Sequence, residues 1–311
     1  MSLFLDRLER YCSFEEYIEI IIIMSWKNQL IHVLSRILHG EPPVIKAQVV
    51  TLAPNHLLEG RCALITGGTS GIGLSIARAF LDAGAVVVIT GRSQNRIDSA
   101  LLQLSAQGRA YGYVLDNTNV SSFSVALNEI VALTSQTKRQ LDILVNNAGI
   151  GKGAAMPNTK EEDWDATIDT NLKGTYFLSQ LFGKYLKENK IKGNILNIAS
   201  SSSLRFGNTP YVISKWGIRS MTLGLAKVLA PYGITVNAVA PGPTATPMLN
   251  KSAEDNIEKS SSPMGRWILP EEIANAAVFM VSDMGRASVG DTLFMTGGAG
   301  LLTQDDVPYN F

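Results

Sequence analysis

Cysteine, histidine and surplus charge of either sign are what this 311-residue chain has least of. Each scarcity removes a class of function. Cys12 and Cys62 stand far apart, and Cys62 falls in a short apolar run, so a reducing, cytoplasmic setting is expected and a disulfide framework is not. His32, His39 and His56 form no cluster with metal-ligand spacing, so no metal site is expected. Lys and Arg number 27 and Asp and Glu 27, a balance without the cationic surplus of a nucleic-acid binder or the acidic excess of a disordered chain. A membrane span needs roughly 20 apolar residues. The run from Ile18 to Met24 is interrupted by Glu19 and followed by Lys27, so no membrane insertion is expected. What remains, 46% apolar and 17% charged, is the composition of a globular protein working on small molecules.

Residues 1–58 stand apart from the pattern that follows. An acidic, aromatic opening (Glu9 to Tyr17) leads through the Ile18 run to Leu30, Ile31, Leu34, Ile37 and Leu38 at helical spacing, and Pro42-Pro43 ends it. This predicts a helical N-terminal extension that packs on the domain that follows or on a sister subunit. The mixed charge at the start and the absence of a small-residue cleavage site argue against a signal peptide. Met24-Ser25 repeats the pattern of Met1-Ser2, so the first 23 residues read equally well as a variable leader.

From residue 59 to 311, short apolar runs alternate with helical patterns. Strands are expected at Arg61 to Thr66, Ala85 to Thr90, Ala110 to Leu115, Leu141 to Asn146, Gly193 to Ala199, Thr235 to Val239 and Asp291 to Met295. Helices are expected near 72–83, 94–107, 121–138, 161–189, 210–230 and 270–283. That alternation predicts an α/β fold, a doubly wound seven-stranded parallel sheet with helices on both faces.

The chemistry begins where the first apolar run breaks into Thr66-Gly67-Gly68-Thr69-Ser70-Gly71-Ile72-Gly73. Glycines at such a break serve a tight turn, close approach to a pyrophosphate and tight helix packing, and the helix start offers free N–H groups to the anion. Gly67, Thr69, Ser70, Gly71, Ile72 and Gly73 are therefore expected to hold a dinucleotide. An enzyme preferring NAD commonly carries a carboxylate at the end of the second strand. Here that place holds Arg92, whose planar cation suits a 2'-phosphate, and the expected cofactor is NADP(H). Tyr211 and Lys215 lie four residues apart on one face of a helical pattern. An ammonium beside a phenol lowers the phenol's pKa, so Tyr211 can exchange a proton with a carbonyl or carbinol oxygen while Lys215 also holds the nicotinamide ribose. Asn146 and Asn147 carry amides able to tie neighbouring backbones together beside Ala148 and Gly149, and Gly149 lets a cofactor approach. The hydroxyl of Ser200, closing the fifth strand, can stabilise charge on a substrate oxygen.

The glycine turn resembles the Thr-Gly-x-x-x-Gly-x-Gly turn of the short-chain dehydrogenase/reductase family. With the Asn-Asn-Ala-Gly tetrad and Tyr-x-x-x-Lys, the resemblance covers about residues 59 to 300. It implies a catalytic set of Asn171, Ser200, Tyr211 and Lys215, with Asn171 kinking its helix and holding a proton-relaying water. It places Asp116, beside Asn117, near the adenine amino group. It sets the turn Pro241-Gly242-Pro243-Thr244-Ala245-Thr246, through Pro241, Gly242, Thr244 and Thr246, against the nicotinamide carboxamide, favouring pro-S hydride transfer. Thr296 stands where many relatives carry aspartate, which implies altered assembly. The activity implied is reduction of a ketone or oxidation of a secondary alcohol, in a homodimer or homotetramer joined through the fifth and sixth helices. Two alternatives are an epimerase or dehydratase acting on a nucleotide sugar, and a protein that senses the cofactor and docks a partner. Met248 to Trp267 is expected to form a lid, with Met248 and Met264 lining an apolar pocket, and Lys152 and Arg205 lie beside the cleft, where they read either as solvated surface charges or as a site for an acidic substrate.

Overall fold

The computed structural model describes residues 56–105, 108–252 and 254–302; nearly all of the expected N-terminal extension lies outside them. Seven strands form one sheet: β1 Cys62–Ile65, β2 Val86–Gly91, β3 Ala110–Val114, β4 Leu141–Asn146, β5 Asn194–Ile198, β6 Thr235–Pro241 and β7 Thr292–Met295. Their order is β3-β2-β1-β4-β5-β6-β7, and every pairing is parallel. The helices are α1 Gly71–Asp82, α2 Gln94–Leu104, α3 Phe123–Ser135, α4 Glu161–Ile168, α5 Gly174–Glu188, α6 Pro210–Leu229 and α7 Pro270–Val281.

The doubly wound form follows from side chains alternating along buried strands. In β1, Ala63 and Ile65 join a cluster with Ile76 and Phe80 of α1 and Ile273 and Ala277 of α7. Cys62 and Leu64 point the other way, into a cluster with Phe123 of α3, Phe182 of α5 and Leu229 of α6. β2 divides in the same manner, Val87 and Ile89 to one face and Val86 and Val88 to the other. Strand order reverses between β1 and β4, so the crevice at their carboxyl ends is where such a sheet takes a ligand.

The helix expected over 161–189 is one rod with a defect. A π-turn at Asp169–Lys173 separates α4 from α5, and Asn171 sits within it. Immediately after it, Gly174 packs so close to the loop following β3 that a Cβ there would lie 2.1 Å from the Asn117 carbonyl oxygen. Other boundaries move by a few residues; β6, expected to stop at Val239, runs on to Pro241 because it is paired with β7 through Met295. At the opposite end of the sheet, Arg61 donates through Nε to Asp142 and through Nη1 to the Val281 carbonyl at 3.1 Å, while Cys62 N–H donates to Asp142 at 2.9 Å. This clamp fixes the strand starts and leaves the carboxyl ends for the site. Burial pushes the Cys62 thiol up to about 12, which makes it inert packing. No helix among the described residues is long and apolar enough to cross a membrane.

Candidate active site

The glycine loop is braced from below. Thr66 Oγ1 accepts from the backbone N–H groups of Asn147 and Ala148, each at 3.1 Å, and Asn147 Nδ2 donates to the carbonyls of Thr66 and Gly67, each at 3.0 Å. This cross-tie of β1 to β4 demands bare backbone. Gly67 adopts φ +63°, and a Cβ at Gly73 would lie 2.4 Å from Asn147 Nδ2 and 2.5 Å from the Gly67 carbonyl. Gly73 therefore serves packing beneath the loop and does not face the cavity. Ser70, at the N-cap of α1, makes no capping bond, and no acidic residue stands in the first turn. The N–H groups there are left for an anion.

Above the loop lies a cavity of about 560 Å³ lined by Gly67, Thr69, Ser70, Gly71, Ile72, Arg92, Asp116, Asn117, Asn147, Ala148, Gly149 and Thr246. Arg92 reaches it as an exposed side chain. Asp116 also closes a turn, accepting from Thr118 N–H and Thr118 Oγ1 at 2.9 Å each. Asn117 is 5% exposed, and its Nδ2 has no hydrogen-bond partner within the protein. A glycine cradle, an unspent buried donor and an arginine at one cavity wall fit a dinucleotide, with a cation beside it.

A second cavity of about 550 Å³ shares Ile72, Asn147, Gly149, Thr246 and Met248 with the first and is lined by Ser200, Tyr211 and Lys215. Thr209 starts α6, its Oγ1 accepting from Val212 N–H at 3.2 Å, with Pro210 at the first helical position. Tyr211 is thereby held at the helix start beside the carboxyl end of β5. Ser200, Ser201 and Ser202 all line the cavity, but it is Ser200 that hydrogen-bonds the Tyr211 side chain. The tight 3-10 turn Ser201–Leu204 brings the two together across only eleven residues of chain; Ser200 Oγ starts it by accepting from Ser202 N–H at 3.1 Å.

Lys215 lies one helical turn on, 6% exposed, with Nζ donating to the Ile198 carbonyl at 2.8 Å and 5.7 Å from the centre of the Tyr211 ring. Burial brings its pKa down to about 8. For Tyr211 the direction is opposite to the sequence expectation. Burial pushes the phenol up, and the Ser200 hydrogen bond offsets only part of this. The ammonium is turned toward a backbone carbonyl and does not touch the phenol oxygen, so desolvation wins. Tyr211 is consequently a protonated donor at neutral pH.

Asn171 lines neither cavity. Its Oδ1 accepts from Ile150 N–H at 2.8 Å, and its Nδ2 donates to the Ile150 carbonyl at 2.9 Å and to Ser214 Oγ at 3.1 Å. The side chain pins the Gly149–Ile150 loop to α6 between Tyr211 and Lys215. Asn146, beneath, donates to Ser179 Oγ at 2.8 Å and Asn197 Oδ1 at 2.9 Å, and Asn197 donates to Thr222 Oγ1 at 2.9 Å. That chain links β4 and β5 to α5 and α6, the tie anticipated for the asparagine pair.

Pro241, Gly242, Thr244 and Thr246 all border the Tyr211 cavity. A Cβ at Gly242 would lie 2.6 Å from the Thr296 carbonyl oxygen, so this glycine also admits the chain after β7. Thr296 is buried, and its Oγ1 accepts from Gly298 N–H at 3.1 Å. Arg266 and Glu272 pair at 2.8 Å through both nitrogens and both oxygens, and Glu272 also accepts from Leu269 N–H at 2.8 Å, fastening the end of the Met248 to Trp267 segment to α7. Met248 lines both cavities and Met264 neither.

Two contributors escaped the sequence reading. Thr66, quoted only as part of the turn, is the brace on which the loop rests. Arg96 lines the dinucleotide cavity with Arg92, and its place in the first turn of α2, four residues after Arg92, is the signal that would have found it.

A parallel sheet with a glycine cradle at its switch point and a Tyr-Lys pair one helical turn apart defines a dinucleotide-dependent oxidoreductase. A family profile described as Enoyl-(Acyl carrier protein) reductase matches residues 67–300. The chain is 39% identical over 248 residues to the (2S)-[(R)-hydroxy(phenyl)methyl]succinyl-CoA dehydrogenase subunit BbsD of Thauera aromatica, covering 78% of this chain and 98% of that protein. It is 38% identical over 247 residues to the 3-oxoacyl-[acyl-carrier-protein] reductase FabG of Thermotoga maritima, with the same coverage. Among solved structures, a short chain dehydrogenase from Bacillus anthracis superposes with TM-score 0.71 at 32% identity, covering 81% of this chain and all of that one. Actinorhodin polyketide ketoreductase with NADPH gives 0.69 at 32%, covering 78% and 97%. This chain belongs to the short-chain dehydrogenase/reductase family.

Proposed function

We propose that this chain is an NADP-dependent oxidoreductase that reduces a ketone to a secondary alcohol, with Tyr211 as the acid. The observation carrying the proposal is a protonated, half-buried Tyr211 hydrogen-bonded to Ser200 in the wall of a cavity that shares lining residues with the glycine cradle. Gly67, Ser70, Gly71 and the start of α1 hold the pyrophosphate, Arg92 and Arg96 the 2'-phosphate, and Asn117 Nδ2 is free to donate to the adenosine end. When bound, the nicotinamide supplies the hydride. Ser200 Oγ and the Tyr211 hydroxyl hold the carbonyl oxygen between them, and as negative charge builds there Tyr211 gives up its proton. Lys215, cationic below about pH 8 and 5.7 Å from the centre of the Tyr211 ring, then acts on the phenolate left behind through space and without direct contact.

Titration of nicotinamide fluorescence tests the cofactor. NADPH should bind more tightly than NADH, and Arg92→Ala should reduce that preference by about tenfold, the worth of one charge-assisted contact. Equal affinities would remove the NADP assignment. Tyr211→Phe should bind NADPH normally and lose reduction by a factor of order 10³. α5 and α6 expose Tyr176, Phe177, Trp216 and Leu223. We assign these faces to self-association, and light scattering at the monomer mass would refute it.

A further inference from the structure

Three cations border the Tyr211 cavity, each delivered by a separate segment. Lys152 comes from the loop after β4, Arg205 from the end of the Ser200 turn and Lys259 from the segment before α7. Each is fixed at its base. Lys152 lies between Gly151, whose Cβ position is 3.9 Å from the Tyr211 ring, and Gly153, which packs on Pro210. The Arg205 carbonyl accepts from Trp216 Nε1 at 2.7 Å, and Lys259 Nζ lies 4.4 Å above the ring of Trp267, itself a cavity wall. No Asp or Glu lines this cavity, and among the described residues none of the three cations pairs with a carboxylate. Lys215, the fourth cation, is committed to the Ile198 carbonyl. Charges of one sign brought together by unrelated loops repel one another, and the arrangement becomes favourable with an anion among them.

Building on the reductase reading, we propose that the substrate is a small oxo acid whose carboxylate is held by Lys152, Arg205 and Lys259 while its ketone faces Tyr211. The cavity sets the reach. Treated as a sphere, about 550 Å³ is about 10 Å across, so an anion inside it lies within a few bonds of the reacting carbon. A phosphate at the far end of a carrier arm would lie outside. Met248, Leu249 and Trp267 give the short carbon chain between the two ends an apolar wall.

The test compares acetoacetate and levulinate with their methyl esters, using NADPH and the full chain. The acids should show kcat/KM at least about tenfold above the esters, a preference that shrinks as salt is raised. Arg205→Gln, Lys152→Gln and Lys259→Gln should each remove much of that preference, mainly through KM, and Lys152→Arg should restore it. An S-acetoacetyl pantetheine and its 4'-phosphate should be used equally well; preference for the phosphate would overturn the carboxylate assignment. Esters turned over as well as acids, or variants that lower both series alike, would overturn the oxo-acid inference and leave the reductase standing. Failure to reduce any carbonyl in either series, with Tyr211→Phe indistinguishable from the parent, would overturn both.

Discussion

Lys215→Met should make the protein more stable at neutral pH while damaging catalysis. The ammonium is 6% exposed, and burial lowers its pKa from the ordinary 10.5 to about 8. At about 1.4 kcal/mol for each tenfold in the proton equilibrium, keeping that charge inside costs about 3 kcal/mol at pH 7. Methionine has a similar length and no charge to desolvate, but it forfeits the bond to the Ile198 carbonyl at 2.8 Å, worth about 1 kcal/mol. The net expectation is a gain of about 2 kcal/mol. The sign of its pH dependence follows from the depressed pKa. Between about pH 8 and 10.5 the unfolded chain holds the proton and the folded one does not, so the parent gains stability as pH rises. By pH 9.5 the cost of the lysine has fallen to about 1.4 kcal/mol and the two proteins should be nearly equal. Urea denaturation of both at pH 7, 8, 9 and 9.5 reads the difference directly. A gap that stays constant over that range, or a variant less stable at pH 7, would show that the lysine is not held at the expense of the fold.

The other expectations are more local. Reduction should hold through neutral pH and fall above about pH 8, as Lys215 loses the proton that stabilises the Tyr211 phenolate; an activity profile flat to pH 9.5 would contradict this. Gly73→Ala should cost about 1 to 3 kcal/mol in denaturant titration and weaken NADPH binding, because its Cβ would meet Asn147 Nδ2 and the Gly67 carbonyl, both within 2.5 Å. Glu272→Gln should cost about 1 kcal/mol at pH 7 by loosening the two-pronged bond to Arg266. The Arg266 guanidinium holds the Glu272 carboxyl below its ordinary range, so that contribution is present above pH 4.5 and is lost as pH falls further, where parent and variant should converge.

How much of this could be read from the chain follows from the range of each constraint. The five inner strands were legible because parallel strands buried on both faces need continuous apolar runs, as Val86 to Ile89 show by splitting their side chains between two cores, whereas the edge strands β3 and β7 are only partly buried and were placed by their alternation with the helices. The glycine loop was legible because its requirements are imposed on the backbone itself: Gly67 at φ +63° and Gly71 at φ +53° leave a mark that no other residue makes so readily. The Tyr211–Lys215 pair was legible by helical spacing, but its electrostatics were not. Sequence says that an ammonium lies one turn from a phenol; it does not say that the Ile198 carbonyl draws Nζ away or that burial then dominates the phenol. The same limit explains Asn171, whose amide is consumed by Ile150 and Ser214, and the second demand on Gly242, whose missing side chain makes room for Thr296. Each depends on a partner brought close only by the finished sheet. The proton inventory at the site is therefore a tertiary property. One chain segment, the start of α6, supplies the tyrosine and the lysine, and another, the carboxyl end of β5, supplies both the serine and the carbonyl that orients the lysine; their convergence is what sets the protonation of Tyr211.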